Sequence, residues 1–308
     1  MSCIRCVLSL VRLGVLFRMK LHFVDSGAHT WLNKMLKHGR GKMDYSQYKT
    51  KEFWEYVDSY AEFIKEHANI IDHYANVDAI RNPKMSWKIQ QYLENEHGLK
   101  PIPVIHYGTH VRWISRYLDR GHKYIALGGP IRRQGHVYHH WADKAWNVIC
   151  GGADHLPMCK VHGFSVTTHR HICRYPWYSV DSVTWKKMAY YGQILVPSFR
   201  LGKPAFDIPN MVVFIDPNTK YIIRERKGRH FLHLPRTARQ NIRRWLDSVG
   251  ISWGKSGKDG SIIIPGVTND EIVRRAATIQ YYLHLVKSLP RWPWPFHAHE
   301  RNSLKDLL

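Results

Sequence analysis

Acidic residues are scarce in this sequence. It has 24 aspartates and glutamates against 46 lysines and arginines, and its formal net charge is +22. An enzyme that handles only small metabolites has no need of such an excess, so the charge favours a polyanionic partner, most simply nucleic acid. A basic protein that its charge keeps soluble is the alternative.

Cysteine is also scarce, and the five cysteines are scattered, an odd number that does not make a disulfide framework. Free thiols fit a reducing compartment, so we expect a cytoplasmic protein, in the host cytoplasm if a phage encodes it. Cys3 and Cys6 resemble half of a metal or redox motif, but no second pair follows at zinc-finger spacing, so we interpret them as incidental. The histidines do not converge at ligand spacing either, so we expect no metal and no bound cofactor.

Long apolar runs are missing, so the sequence predicts no membrane partner. Residues 1–18 are a short apolar stretch interrupted by arginine, with no small-residue cleavage site. We interpret them as a loose amphipathic lead, or as a segment before a natural start at Met19. The sequence leaves a homo-oligomer open.

Glycine-rich nucleotide motifs do not follow the first strand, which argues against a dinucleotide or P-loop fold. What the sequence does contain is an alternation of short apolar runs with helical patterns, and this predicts βαβ units and a parallel sheet. The strand candidates are 20–24, 69–78, 101–108, 123–129, 158–165, 177–182 and 192–197, with 211–216 as an eighth. The count favours a (β/α)₈ barrel, and a doubly wound open sheet comes second.

The chain organisation follows from these strands. Residues 19–200 are predicted to form the main part of the barrel, and residues 201–308 to complete it and add a basic, aromatic extension that packs on it. A loop with Gly39 and Gly41 is expected after the first strand. The last long helix is predicted to begin at Thr268 or Asn269.

Polar residues cluster where the predicted strands end, and in a parallel barrel catalytic groups lie at that end. A single aspartate after a strand is usually a turn residue, but three on successive strands favour a shared site. Two such carboxylates are the groups that glycosidic-bond chemistry requires, as acid/base and nucleophile. The strand ends are Asp25-Ser26-Gly27, Asn76-Val77-Asp78, His106-Tyr107-Gly108, Gly128-Gly129, His162-Gly163-Phe164 and Val180-Asp181-Ser182.

The order of these motifs resembles that of the tRNA-guanine transglycosylases and their DNA-modifying relatives. The matching elements are Val24-Asp25-Ser26-Gly27-Ala28, then Asp78, Leu127-Gly128-Gly129, His162-Gly163-Phe164-Ser165 and Val180-Asp181-Ser182. The likeness covers residues 20–197 and is greatest to the phage-type DNA-guanine transglycosylases. It implies a (β/α)₈ barrel that exchanges guanine in a polynucleotide, DNA rather than tRNA, for a free 7-deazaguanine base.

The resemblance also implies roles. Asp181 would be the nucleophile that forms a covalent sugar intermediate, and Asp25 the general acid/base. Asp78 would bind the guanine-like edge, and Phe164 would stack on the base. Ser26, Gly27, Gly128 and Gly129 would shape the pocket. Apart from the resemblance, the strand-end positions make His106, His162 and Gly163 further pocket candidates. The family's extra RNA-binding domain has no clear counterpart, so we expect the basic region to hold the nucleic-acid backbone instead, through Arg224, Arg226, Lys227, Arg239, Arg243 and Arg244.

Two departures from the family pattern stand out. No cysteine follows Asp181, so the zinc site of the tRNA enzymes is absent or rebuilt, and Ala28 replaces a second glycine. Alternatives from other classes remain: a tRNA-guanine transglycosylase, a non-catalytic nucleic-acid-binding barrel subunit, or a metal-dependent hydrolase that uses the histidines.

Overall fold

The structure is a computed structural model that describes residues 5–13, 16–38, 42–129, 135–217 and 230–298. The helices of this part are α1 (Ala28–His38), α2 (Lys51–Glu66), α3 (Pro83–Asn95), α4 (Arg112–Asp119), α5 (Gly135–Ile149), α6 (His169–Arg174), α7 (Thr184–Tyr190), α8 (Arg236–Ser248) and α9 (Glu271–Ser288). The strands are β1 (Arg5–Leu13), β2 (Leu16–Asp25), β3 (Val104–His106), β4 (Tyr124–Gly128), β5 (Lys160–Phe164), β6 (Ser179–Val180), β7 (Gln193–Val196), β8 (Ser198–Arg200), β9 (Lys203–Ala205), β10 (Met211–Phe214), β11 (Lys255–Ser256) and β12 (Ile262–Ile264).

A parallel sheet in chain order organises the first half of the chain. β3, β4, β5 and β6 are neighbours in that order, and the β3–β4 and β4–β5 pairs are parallel. Single parallel bridges continue the order backwards, from Ile102 to Ala75 and from Tyr74 to Val24 at the end of β2. The predicted mixed α/β class with a parallel sheet is therefore confirmed.

This sheet is strongly curled. β2 and β5 are four strand spacings apart, which is roughly 19 Å in a flat sheet. Nevertheless the rings of Phe23 on β2 and His162 on β5 stack with centroids 4.3 Å apart. Phe164 meets both rings edge-on. The strands must bend around these side chains, so Phe23, His162 and Phe164 lie on the concave face.

Helices cover the sheet as their apolar spacing predicts. α2 buries Phe53, Val57, Tyr60, Ala61 and Ile64, which recur at three- and four-residue intervals and so share one helix face. The Thr50 side chain caps this helix by accepting from the Phe53 N–H at 3.2 Å. These residues belong to one core cluster with α1 and α3.

The chain divides into two compact units. The first holds the described residues up to Phe164 together with 177–179 and 295–298, and the second holds the described residues within 165–176 and 180–294. The predicted division near residue 200 is a different one and stays a prediction. Phe296 of the aromatic tail is buried in the first unit against Trp146.

In the second unit, β7 pairs with β10 and α9 packs on β7. The Thr278 hydroxyl of α9 accepts from the Leu195 N–H at 3.2 Å, and buried Arg274 donates to the Ala189 carbonyl at 2.9 Å. The predicted eighth strand thus exists as β10. Its pairing with β7 is antiparallel, unlike the parallel pairing of the last two strands in a (β/α)₈ barrel.

Three local predictions were wrong. The segment directly after the first strand, where we expected a loop, is helix α1, whose buried Trp31, Leu32 and Met35 share one face; Gly39 and Gly41 of the predicted loop lie outside the described residues. The lead that we expected to be loose contains β1, which pairs antiparallel with β2 and so satisfies backbone groups of both strands. The N-cap of α9 is Asp270, because its carboxylate is the group that accepts from the first-turn N–H groups.

No helix in the described ranges is long and apolar enough to cross a membrane.

The N-cap of α9 gives a stability test. Asp270 Oδ1 accepts from the N–H groups of Ile272 at 2.6 Å and Val273 at 3.1 Å. Asp270→Ala should lower the free energy of unfolding by about 0.5–2 kcal/mol, because two N–H groups lose their acceptor. Asp270→Asn keeps an acceptor and is the matched control. Equal unfolding midpoints for the two variants in denaturant titration would contradict this cap.

Candidate functional site

The end of β2 delivers Asp25 to the carboxyl edge of the curled sheet. The Gly27 N–H donates to Asp25 Oδ1 at 3.3 Å, and Gly27 has φ +73°, a conformation that favours glycine. Ser26 between them is fully buried, and its carbonyl accepts from the Tyr56 hydroxyl. The Ser26 hydroxyl oxygen has no hydrogen-bond partner among the described residues.

The next segment of the sheet delivers Asp78 to the same edge. Asn76 is fully buried and its Nδ2 donates to the Ser86 carbonyl at 3.0 Å. The Ser86 hydroxyl, on α3, accepts from the Ala79 N–H at 2.9 Å. Helix α3 therefore fixes the backbone on both sides of Asp78, whose side chain is only 6% exposed.

His106 at the end of β3 contacts Asp78 directly, through Nε2 and Asp78 Oδ2. Its ring lies against the backbone of Gly128 at the end of β4. A Cβ at residue 128 would be 2.3 Å from His106 Nδ1, far inside van der Waals contact. Gly128 is therefore required because its missing side chain leaves room for the ring that holds Asp78.

Both carboxylates act on one buried tyrosine. The Tyr60 hydroxyl donates to the Ala75 carbonyl at 2.7 Å. Burial raises the pKa of Tyr60 well above its usual value, and the nearby charges of Asp25 and Asp78 raise it further. Asp25 and Asp78 thus lie close enough to share an electrostatic environment, on neighbouring strands.

His162 occupies the concave face as a neutral ring. Burial lowers the pKa of His162 to about 3, with a smaller contribution from His73. Its Nδ1 lies 2.7 Å from the Ser179 hydroxyl, which in turn lies 2.7 Å from the Tyr124 hydroxyl. This ring is wedged between Phe23 and polar partners, so its position is fixed before any ligand binds.

The other residues predicted for the pocket lie along the same strands. Gly163 is buried inside β5, and Gly129 is half-buried just after β4. Phe164, expected to stack on a base, is half-buried and contacts Phe23 and His162 edge-on. Any stacking on a ligand would use the part of its ring that these contacts leave exposed.

Asp181 belongs to the second unit. It is half-buried, and its Oδ1 accepts from the Ser165 N–H at 2.8 Å. Ser165 has φ +59°, an uncommon conformation for a residue with a side chain. The turn after β5 therefore orients the carboxylate of Asp181.

The predicted backbone-binding residues divide into two groups. Arg224, Arg226 and Lys227 lie outside the described residues. Arg239 is half-buried on α8, whereas Arg243 and Arg244 are exposed there. The Arg243 guanidinium lies over the Trp253 ring, 4.3 Å from its centroid.

The structure adds site residues that sequence reasoning missed. Asn76, Ser86, Tyr60 and Ser179 support the predicted residues through the hydrogen bonds described above. Asn76 belongs to the predicted strand end at residues 76–78, and Ser179 directly precedes the one at residues 180–182, which was a usable signal. Ser86 and Tyr60 lie on helices, and only the tertiary contacts reveal them.

Comparison with known proteins finds no match: no family model, no curated protein and no solved structure corresponds to the chain. Within the described ranges, no group of three or more histidine, cysteine or acidic side chains is arranged to hold a metal ion.

Gly128 gives a test of the His106 position. Gly128→Ala should lower the free energy of unfolding by about 1–3 kcal/mol, because the new methyl group displaces the buried ring. Gly151→Ala is the control, since its Cβ would meet carbonyl oxygens at an ordinary 3.4 Å. Denaturant titration of both variants measures the difference, and a loss no larger for Gly128→Ala would contradict the close approach.

The buried ring of His162 predicts a pH dependence. The pKa of His162 is about 3 in the folded protein and near 6.5 in the unfolded chain. Between these two pH values the unfolded chain therefore binds a proton that the folded protein does not bind. Stability should therefore fall as the pH drops below 6.5, by up to about 1.4 kcal/mol per pH unit. His162→Gln should flatten this slope in denaturant titrations between pH 7 and pH 5. An unchanged slope would show that the ring is not buried in neutral form.

Proposed function

We propose that this protein exchanges guanine in DNA for a free 7-deazaguanine base, on a barrel of the (β/α)₈ type. The observation that carries the proposal is the position of Asp25 and Asp78. These carboxylates end neighbouring parallel strands at one edge of a curled sheet, the edge where such barrels perform their chemistry. The strand order and the curl support the barrel, with the antiparallel β7–β10 pair as a departure.

Asp78 is suited to recognise a guanine-like base. His106 contacts one of its oxygens and Gly128 keeps that ring in place. The second carboxylate oxygen of Asp78 would accept hydrogen bonds from the N–H donors on the edge of the base. The buried Ser26 hydroxyl, which has no partner among the described residues, is a further polar group for the ligand.

The reaction needs two steps at the sugar. Asp181 attacks the anomeric carbon, the bond to guanine breaks, and Asp25 gives the leaving base a proton. A 7-deazaguanine then attacks the same carbon, returns a proton to Asp25 and releases Asp181 as a carboxylate. The sugar–phosphate backbone stays intact, and the roles follow the resemblance of the two motifs.

The charge supports a polynucleotide rather than a free nucleoside as substrate. The chain carries a net charge of +22, and exposed arginines on α8 are suited to phosphate contacts. The resemblance to the phage-type enzymes selects DNA over tRNA, with no resident cofactor and a deazaguanine as co-substrate.

Asp181→Asn tests the nucleophile. The asparagine oxygen still accepts from the Ser165 N–H, so the fold should survive while the carboxylate nucleophile is lost. Incorporation of labelled 7-deazaguanine into guanine-containing DNA should fall by a factor of about 10³ or more. Wild-type protein should form a sugar–protein adduct on DNA under denaturing electrophoresis, and Asp181→Asn should not.

The control is Asp207→Asn, which removes an exposed carboxylate paired with Arg200. It should keep full exchange activity. Full exchange by Asp181→Asn would refute the nucleophile, whereas tight DNA binding with neither exchange nor adduct in the wild type would identify a non-catalytic DNA-binding protein. Running the assay in parallel on tRNA decides between the two polynucleotides.

A further inference from the structure

A small hairpin in the second unit exposes an unusual apolar strand. β11 and β12 pair antiparallel, and the Gly257 N–H donates to the Ser261 carbonyl at 2.8 Å to close the turn between them. Ile262, Ile263 and Ile264 make up β12 and are 51%, 55% and 49% exposed. Successive strand side chains point to opposite faces, so both faces of β12 are open to solvent. The side chains of these isoleucines are therefore not part of the hydrophobic core.

The base of the hairpin is firmly built. Gly266 packs against the Gly254 backbone so closely that a Cβ at 266 would be 2.1 Å from the Gly254 nitrogen. Asn269 ties the two strands together, because its Nδ2 donates to the Ser256 hydroxyl and to the Ile264 carbonyl, each at 3.1 Å. Its Oδ1 accepts from the Gly266 N–H at 2.9 Å. A hairpin anchored in this way holds its isoleucines in place without burying them.

The hairpin that presents the isoleucines has a small positive net charge, from two lysines and one aspartate. Lys255 and Lys258 are exposed in the hairpin itself. The nearby carboxylate of Asp259 is engaged by the N–H of Ser261 at 3.1 Å and by its hydroxyl at 2.7 Å. Just before the hairpin, the tilted ring of Trp253 contacts Phe231, and the guanidinium of Arg243 from the basic helix α8 lies over the Trp253 ring.

An apolar edge with cations around it matches one kind of partner. Duplex DNA has an anionic backbone outside and a stack of apolar base faces inside. Proteins that deform DNA insert isoleucine, leucine or phenylalanine between base steps while basic side chains hold the phosphates. A second copy of this chain is a poorer fit, because like charges would face each other across the contact.

We propose that the hairpin at residues 255–264 is a wedge that enters duplex DNA and unstacks a base step with its isoleucines. The proposal rests on the proposed function for its substrate, because a base inside a duplex must leave the stack before an enzyme can exchange it. Lys255 and Lys258 hold the phosphates on either side of the opened step.

The test compares two triple variants of the full chain. Replacing Ile262, Ile263 and Ile264 by threonine keeps β-branched shape and strand propensity but removes the apolar wedge. Replacing the same three residues by valine keeps the apolar character and is the matched control. Each is combined with Asp181→Asn, so that no turnover disturbs the reading. The readout is 2-aminopurine fluorescence beside a guanine in a duplex, together with affinities for that duplex and for the same single strand.

We expect the background protein and the valine variant to raise the fluorescence. The threonine variant should leave it at the value of free duplex and bind the duplex about tenfold more weakly, with single-strand affinity unchanged. Equal fluorescence with the threonine variant would overturn the wedge, as would equal losses on duplex and single strand. A dimer in sedimentation that only the threonine variant dissociates, with duplex opening unchanged, would also overturn it in favour of self-association.

The outcomes separate this proposal from the proposed function. Duplex opening that depends on the isoleucines, in a protein with no exchange activity, supports the wedge and refutes the transglycosylase. The exchange assay uses the threonine variant with Asp181 restored. If this variant still exchanges guanine in single-stranded DNA but no longer in duplex DNA, the result supports both the wedge and the transglycosylase. Exchange on duplex DNA at the wild-type rate by the threonine variant overturns the wedge and leaves the transglycosylase intact.

Discussion

The stack between Phe23 and His162 is the contact on which the first unit depends. It joins β2 to β5 across a sheet whose flat form would hold these strands far apart. Because the centroids of these two rings are 4.3 Å apart, the strands between β2 and β5 must curl around them. The curl turns the carboxyl edge of the sheet into a rim, and Asp25 and Asp78 stand on that rim.

The same constraint explains why several polar groups of the site are buried. Burial of a carboxylate or an imidazole is costly unless a partner is present, and each of these groups has one. Asp78 has His106, and His162 has Ser179 and the neutral form that its low pKa ensures. These partners fix the side chains of Asp78 and His162 when the chain folds.

The second unit has a different character. Its core forms around α9 and the antiparallel β7–β10 pair, while its surface presents a basic helix and an anchored apolar hairpin. The carboxylate of Asp181 accepts from the N–H of Ser165, which lies in the left-handed region just after β5.

The sequence alone determined the order of the parallel strands, most helices and the positions of Asp25 and Asp78 after two of those strands, because periodicity and the residues after each strand are local signals. Helix α1 was not predicted, because the nearby glycines suggested a loop. The antiparallel pairing of β10 was not predicted either, because the direction of pairing depends on residues distant in sequence. Only the tertiary structure decided that His106 needs a glycine at 128, that α3 holds Asp78 through Ser86, and that β12 stays uncovered. Each of these depends on contacts between residues far apart in sequence, where packing and desolvation, not propensity, set the outcome.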